Sequence, residues 1–157
     1  MNVIGYIRVS PPSQLVGTSL VCQKKHIADF CLAHGWKKPA VFFREAPMDS
    51  RLPLRSRRTL AAAVDLLVRG QAQVLVCAYR DRITRSVRLL LELAGLAREH
   101  QFRIVSACGL LDTDSAPFSA LPPQLLSALG ALDEDRPEYN QKPRPRGGWP
   151  RHLQRSG

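Results

Sequence analysis

The chain has no apolar run approaching the roughly eighteen residues that a membrane span needs, so a membrane-embedded role is not expected. No basic segment followed by an apolar stretch and a small-residue cleavage site opens the sequence, so no secretion signal is expected. Cysteine is sparse and scattered. Cys22, Cys31, Cys77 and Cys108 lie far apart and none forms a C-x-x-C pair, so no metal site is expected. The four thiols read as small buried hydrophobes in a reducing cytoplasm. No G-x-G-x-x-G and no P-loop pattern follows the first apolar segment, which counts against nucleotide binding. Acidic residues are also in short supply: 13 Asp and Glu face 23 Lys and Arg, a formal net charge of +10. Such an excess favours a polyanionic partner, and for a cytoplasmic protein that means nucleic acid.

What is present suits one globular domain. The 157 residues are 45% hydrophobic, enough for a core. The positive charge is uneven. Residues 136–157 contain six basic residues (Arg136, Lys142, Arg144, Arg146, Arg151, Arg155) against one acidic residue, Glu138. This stretch of Pro, Arg, Gly and Gln has almost no aliphatic side chains, so it cannot offset its ordering entropy and is predicted disordered in isolation. The expected division is a domain over residues 1–135 and a basic tail over 136–157, whose cations would grip DNA without regard to sequence.

Apolar periodicity orders the rest. Val3 to Arg8 reads as a buried strand, interrupted by Ser10-Pro11-Pro12-Ser13. Thr18 or Ser19 offers a helix cap ahead of the stripe Ile27, Phe30, Cys31, His34, closed by Gly35. Val41, Phe42 and Phe43 form a short strand, and residues 45–58 read as a mobile exposed loop with Arg51, Arg55, Arg57 and Arg58. Leu60, Val64, Leu67 and Val68 give a second helix, closed by Gly70. The continuous run from Val74 to Ala78 predicts a strand buried on both faces. A helix with Val87, Leu90, Leu91 and Ala94 inward, a strand over residues 103–107 and a helix begun by Pro122 and Pro123 complete the chain. The alternation predicts an α/β fold: a three-layer α/β/α domain with a mostly parallel central sheet.

Candidate chemistry gathers at two places. Arg8 and Ser10 are two apart at the C-terminal end of the first strand and so share a face. Open α/β sheets bind ligands at that end. A hydroxyl beside a fixed guanidinium suits attack on a phosphate diester. The second place is Asp81-Arg82-Ile83-Thr84-Arg85-Ser86. Taken alone, each has a plainer reading: a turn for Ser10 and a solvated helix start for Arg82 and Arg85. His26, His34, His100 and His152, with Trp36 and Trp149, suggest no chemistry.

Four ordered motifs carry more weight than either place alone. Tyr6-Ile7-Arg8-Val9-Ser10, Ser19-Leu20-Val21-Cys22-Gln23, Arg57 and Asp81-Arg82-Ile83-Thr84-Arg85-Ser86 resemble the catalytic domain of serine site-specific recombinases, the resolvase/invertase family, over residues 3–134. Leu111-Asp112-Thr113 resembles the family's Asp-Thr after the fourth strand, and residues 125–134 the start of its long C-terminal helix. The resemblance implies that Ser10 attacks a backbone phosphate of double-stranded DNA, leaving a 5′-phosphoserine and a free 3′-hydroxyl. It implies strand cleavage and rejoining without metal or ATP, by homodimers that assemble to a tetramer on DNA. Ser10 would be the nucleophile, Arg8, Arg57, Arg82 and Arg85 would hold the phosphate, and Gln23 and Asp81 would support them. Guanidinium forks match phosphate oxygens two at a time. One such preorganised donor contributes about 3–4 kcal/mol to transition-state stabilisation.

The chain departs from the family in three respects. Pro11-Pro12 directly follows Ser10 and holds it extended. Pro47-Met48-Asp49-Ser50-Arg51 lacks a glycine that often follows serine in the family's loop. Pro137 stops any helix soon after Glu134, and no helix-turn-helix or zinc ribbon follows. These departures define the alternative, a truncated or impaired recombinase that acts as a non-catalytic DNA-associated protein or relies on a partner for site recognition. A third reading is an unrelated flavodoxin-like phosphate-binding module.

Overall fold

The computed structural model describes residues 1–9 and 19–120. Strands β1 (Val3–Arg8), β2 (Val41–Glu45), β3 (Val74–Cys77) and β4 (Arg103–Ser106) form one sheet in the order β2-β1-β3-β4. Every neighbouring pair is parallel. Helices α1 (Leu20–Ala33), α2 (Arg58–Val68), α3 (Arg80–Ile83) and α4 (Val87–Glu99) connect them. The strands are apolar on both faces because both are covered. Val3, Ile7, Val74, Val76 and Val105 pack with Ile27 and Cys31 of α1. Ile4, Tyr6, Leu75, Cys77 and Ile104 pack with Leu60, Val64 and Leu67 of α2 and Leu89 and Leu93 of α4. The fold is therefore the expected three-layer α/β/α sandwich.

The chain runs from β1 outward to β2, then crosses back to β3 and on to β4. Right-handed crossovers put α1 on one face and α2 and α4 on the other when the direction reverses. That reversal lies between β1 and β3, and the C-terminal strand ends beside such a reversal are the usual ligand position in sheets of this kind.

Local signals fix the boundaries. The Ser19 hydroxyl accepts from the Cys22 N–H at 3.2 Å and the Ser86 hydroxyl from the Leu89 N–H at 3.3 Å, capping α1 and α4. At the C-terminus of α1, Gly35 takes φ +68° while Trp36 N–H reaches back to the Cys31 carbonyl at 2.8 Å. The outer edge of β4 is covered by the segment that follows it. Ile104 N–H donates to Thr113 Oγ1 and Thr113 N–H to the Ile104 carbonyl, both at 3.0 Å.

Three expectations need correction. The inward face of α4 is Leu89, Leu91, Leu93, Ala94 and Ala97, whereas Val87 is 67% exposed. Val87 begins the helix beside its cap, and three consecutive leucines leave the helical phase ambiguous in the sequence. Only Cys31 and Cys77 are buried; Cys22 and Cys108 are exposed. The segment over residues 45–58 is not a wholly exposed loop, because Glu45, Ser50 and Arg57 are buried. The predicted helix near residues 122–134 and the basic tail lie outside the described residues. Among the described residues no helix is long and apolar enough to cross a membrane.

Candidate active site

Arg8 ends β1 and is 5% exposed. Its Nε donates to the Arg82 carbonyl at 3.2 Å, Nη1 to the Met48 carbonyl at 3.1 Å and Nη2 to the Asp81 carbonyl at 2.8 Å. Val9 N–H still pairs toward β2, through the Glu45 carbonyl at 3.1 Å. Arg8 N–H faces the opposite side, where β3 has already ended. Gln23 of α1 replaces the missing strand there. Its Oε1 accepts from Arg8 N–H at 3.2 Å and its Nε2 donates to the Arg8 carbonyl at 3.1 Å. Burial lowers the Arg8 pKa below the usual guanidinium value, and neighbouring Arg82 lowers it further.

The short helix α3 brings the second cluster against the first. Arg82 is 4% exposed, and its Nη2 meets Asp81 Oδ2 at 2.7 Å. Arg85, just past the end of α3 and exposed, places Nη2 3.5 Å from the same oxygen. One carboxylate thus orients two guanidiniums of different burial.

Arg57, at the start of α2, has no exposed surface. Its Nε donates to Glu45 Oε2 at 3.2 Å, one Nη to the Tyr6 hydroxyl at 2.8 Å and the other to the Ser50 carbonyl at 3.5 Å. It also donates to the Ile83 carbonyl and pairs with Glu45 Oε2 through Nη2. The Tyr6 hydroxyl donates to the same Glu45 oxygen. All five N–H groups of the fork are engaged by protein oxygens. Burial raises the Tyr6 pKa strongly; Arg57 opposes the shift and the hydrogen bond to Glu45 adds to it. The other arginines of the segment 45–58, Arg51, Arg55 and Arg58, are exposed.

The balance of charge is informative. Arg8, Arg57, Arg82 and Arg85 bring four positive charges to one end of the sheet, where Glu45 and Asp81 supply two negative ones. Nearby Asp49 is held by Arg51, with Nη2 to Oδ2 at 3.0 Å. Among the described residues the remainder is a net positive, half-buried cluster, in which the Arg82 charge bears on Arg8. Guanidiniums in that state suit a phosphate diester.

A model of the resolvase N-terminal domain matches residues 3–141. The chain belongs to the resolvase family. Solved structures resemble it in fold. The N-terminal catalytic domain of TP901-1 integrase superposes with a TM-score of 0.68 at 21% identity, covering 85% of this chain and 97% of that one. A resolvase family site-specific recombinase from Streptococcus pneumoniae gives a TM-score of 0.62 at 16% identity, covering 85% and 88%. The C-terminal catalytic domain of ISC1926 TnpA, an IS607-like serine recombinase, gives 0.53 at 19% identity, covering 85% and 82%. A search of curated proteins found none that matches. Membership places the chain among site-specific recombinases.

Within this resolvase-family domain the structure gathers Arg8, Gln23, Arg57, Asp81, Arg82 and Arg85 at one end of the sheet. Ser10 lies outside the described residues, as do Arg136, Lys142, Arg144, Arg146, Arg151 and Arg155. Asp112 is elsewhere. It bonds Arg103 Nη2 at 2.6 Å on the β4 edge and plays no part in the cluster. Sequence reasoning missed Glu45 and Tyr6. Their role depends on β1–β2 register, which sets Tyr6 opposite Phe43 and Arg8 opposite Glu45.

Proposed function

We propose that this resolvase-family chain cuts and rejoins double-stranded DNA through Ser10. The Ser10 oxygen forms a bond to a backbone phosphorus as the bond from phosphorus to the 3′ oxygen breaks. The departing oxygen leaves as a 3′-hydroxyl, and the protein keeps a 5′-phosphoserine. Reversal on a new 3′-hydroxyl completes exchange, so no metal or ATP is needed. The observation that carries the reading is the convergence of buried Arg8 and Arg82 with exposed Arg85 at the C-terminal ends of the strands. Arg8, Arg82 and Arg85 stabilise the charge on the phosphoryl oxygens, each such donor contributing about 3–4 kcal/mol. Asp81 orients Arg82 and Arg85, and Gln23 fixes the backbone that carries Arg8. Arg57, its donors already engaged, braces the site from inside. The basic residues of 136–157 add contacts to flanking phosphates, and homodimers pair into tetramers to exchange two duplexes in the cytoplasm.

Covalent capture tests this reading. Incubation with a pool of nicked duplexes should give a denaturant-resistant protein–DNA adduct that disappears in Ser10→Ala. An adduct that persists in Ser10→Ala would remove Ser10 as nucleophile. Salt-sensitive binding with no adduct on any substrate would instead support the non-catalytic DNA-associated reading.

A further inference from the structure

We propose that Thr84 is a positioning residue that locks the loop over residues 46–53 to the segment bearing Arg82 and Arg85, and so sets the spacing of the arginine cluster. The inference rests on the proposed reaction at this site and adds a residue to it. Thr84 is 2% exposed and stands between Asp81 and the cap of α4. Its hydroxyl donates to the Ser50 carbonyl at 2.8 Å and accepts from Ser86 N–H at 2.9 Å. One side chain thereby joins two segments 34 residues apart in sequence.

The loop it holds touches the cluster twice more. Met48 offers its carbonyl to Arg8, and Ser50 offers the same carbonyl to Arg57 that it offers to Thr84. The hydroxyl bond to Ser50 is the shorter of the two that reach that oxygen, at 2.8 Å against 3.5 Å. The other ties from the loop run to long arginine side chains. Thr84 is short and β-branched, so its hydroxyl is confined to few positions. It therefore fixes the loop relative to the α3–α4 turn more tightly than the guanidiniums do. Misplacement of a phosphate-binding fork by about 1 Å can cost on the order of a hundredfold in rate. No atom of Thr84 needs to touch DNA for this.

Thr84→Val keeps the shape and removes the hydroxyl; Thr84→Ser keeps the hydroxyl. Two readouts separate positioning from mere stability. The first is tryptic cleavage after Arg51 under native conditions, which reports loop opening. Loss of one or two hydrogen bonds should raise loop opening about 5- to 30-fold in Thr84→Val, with Thr84→Ser restored to within about twofold of the parent. The second is single-turnover adduct formation at saturating nicked DNA, which should fall at least about tenfold in Thr84→Val and recover in Thr84→Ser, with binding of the DNA unchanged. Thr84→Ala, which places no methyl group against the Ser50 carbonyl, serves if Thr84→Val does not fold. Parental loop protection and adduct rate in the hydroxyl-free variant would overturn the proposal, as would a slowed adduct with the loop still protected. If the parent chain forms no adduct, the proposed reaction fails, while the cleavage readout still decides whether Thr84 holds the loop.

Discussion

Glu45 is 2% exposed and Arg57 fully buried, so neither charge has water to fall back on. Breaking such a pair from one side leaves an uncompensated buried charge, which typically costs about 3–5 kcal/mol. Glu45→Gln preserves the shape, and urea denaturation should show a loss of about 3 kcal/mol, the lower end because Arg57 keeps two carbonyl partners. An unchanged midpoint would mean that the pair does not hold the β2 end in place. Tyr6→Phe should cost less, about 1–2 kcal/mol, because it removes only a neutral partner. The Tyr6 phenol also has a pH signature. Burial raises its folded pKa above the ordinary 10.0, so above that pH the unfolded chain releases a proton that the folded one keeps. The stability advantage of the parent over Tyr6→Phe should therefore be constant below pH 10 and shrink above it. An advantage that grows with alkalinity would reverse the assignment.

Strand β1 is the element on which the site depends, since it pairs with both β2 and β3 and ends in Arg8. Its one glycine permits a close packing. A Cβ on Gly5 would overlap the Phe42 ring, which occupies that space on the α1 face. Gly5→Ala should displace the ring and cost about 1–3 kcal/mol in urea, despite the better strand propensity of alanine. A neutral or stabilising result would show that Phe42 rotates away freely. Elements of this kind were legible in the sequence wherever a signal is local. The cap offered at Thr18 or Ser19, the stop at Gly35 and the continuous run of β3 each announce a boundary from within a few residues, whereas the Ser86 cap emerged only with the structure. The arginines and Gln23 were legible through ordered motifs. The phase of α4 was not, because Leu89, Leu90 and Leu91 give no polar residue to mark the outer face. Glu45 was not legible either. A carboxylate in a Pro- and Arg-rich stretch looks like solvent-exposed charge until strand register sets it beside Arg57 and the Tyr6 hydroxyl.

At the scale of the molecule, the proposed function gives two reservoirs of positive charge different work. The cluster at the strand ends is built into the fold and carries a small surplus around buried side chains. The six basic residues of 136–157 are separated from it in sequence and accompanied by one acidic residue. A buried cluster discriminates a phosphate by geometry; a basic tail contributes counterion release and little else. The two roles separate experimentally in their salt dependence. Each phosphate neutralised on duplex DNA adds about −0.9 to the slope of log K against log salt. Ending the chain after Asp135 should flatten that slope by up to about 5, if all six cations engage phosphates. Adduct formation from the bound complex should keep its rate, because the groups assigned to chemistry lie within residues 1–135. A slope unchanged by the deletion would place the DNA contacts on the domain itself. A slope reduced together with the rate at saturating DNA would instead make the tail part of the assembly that reacts.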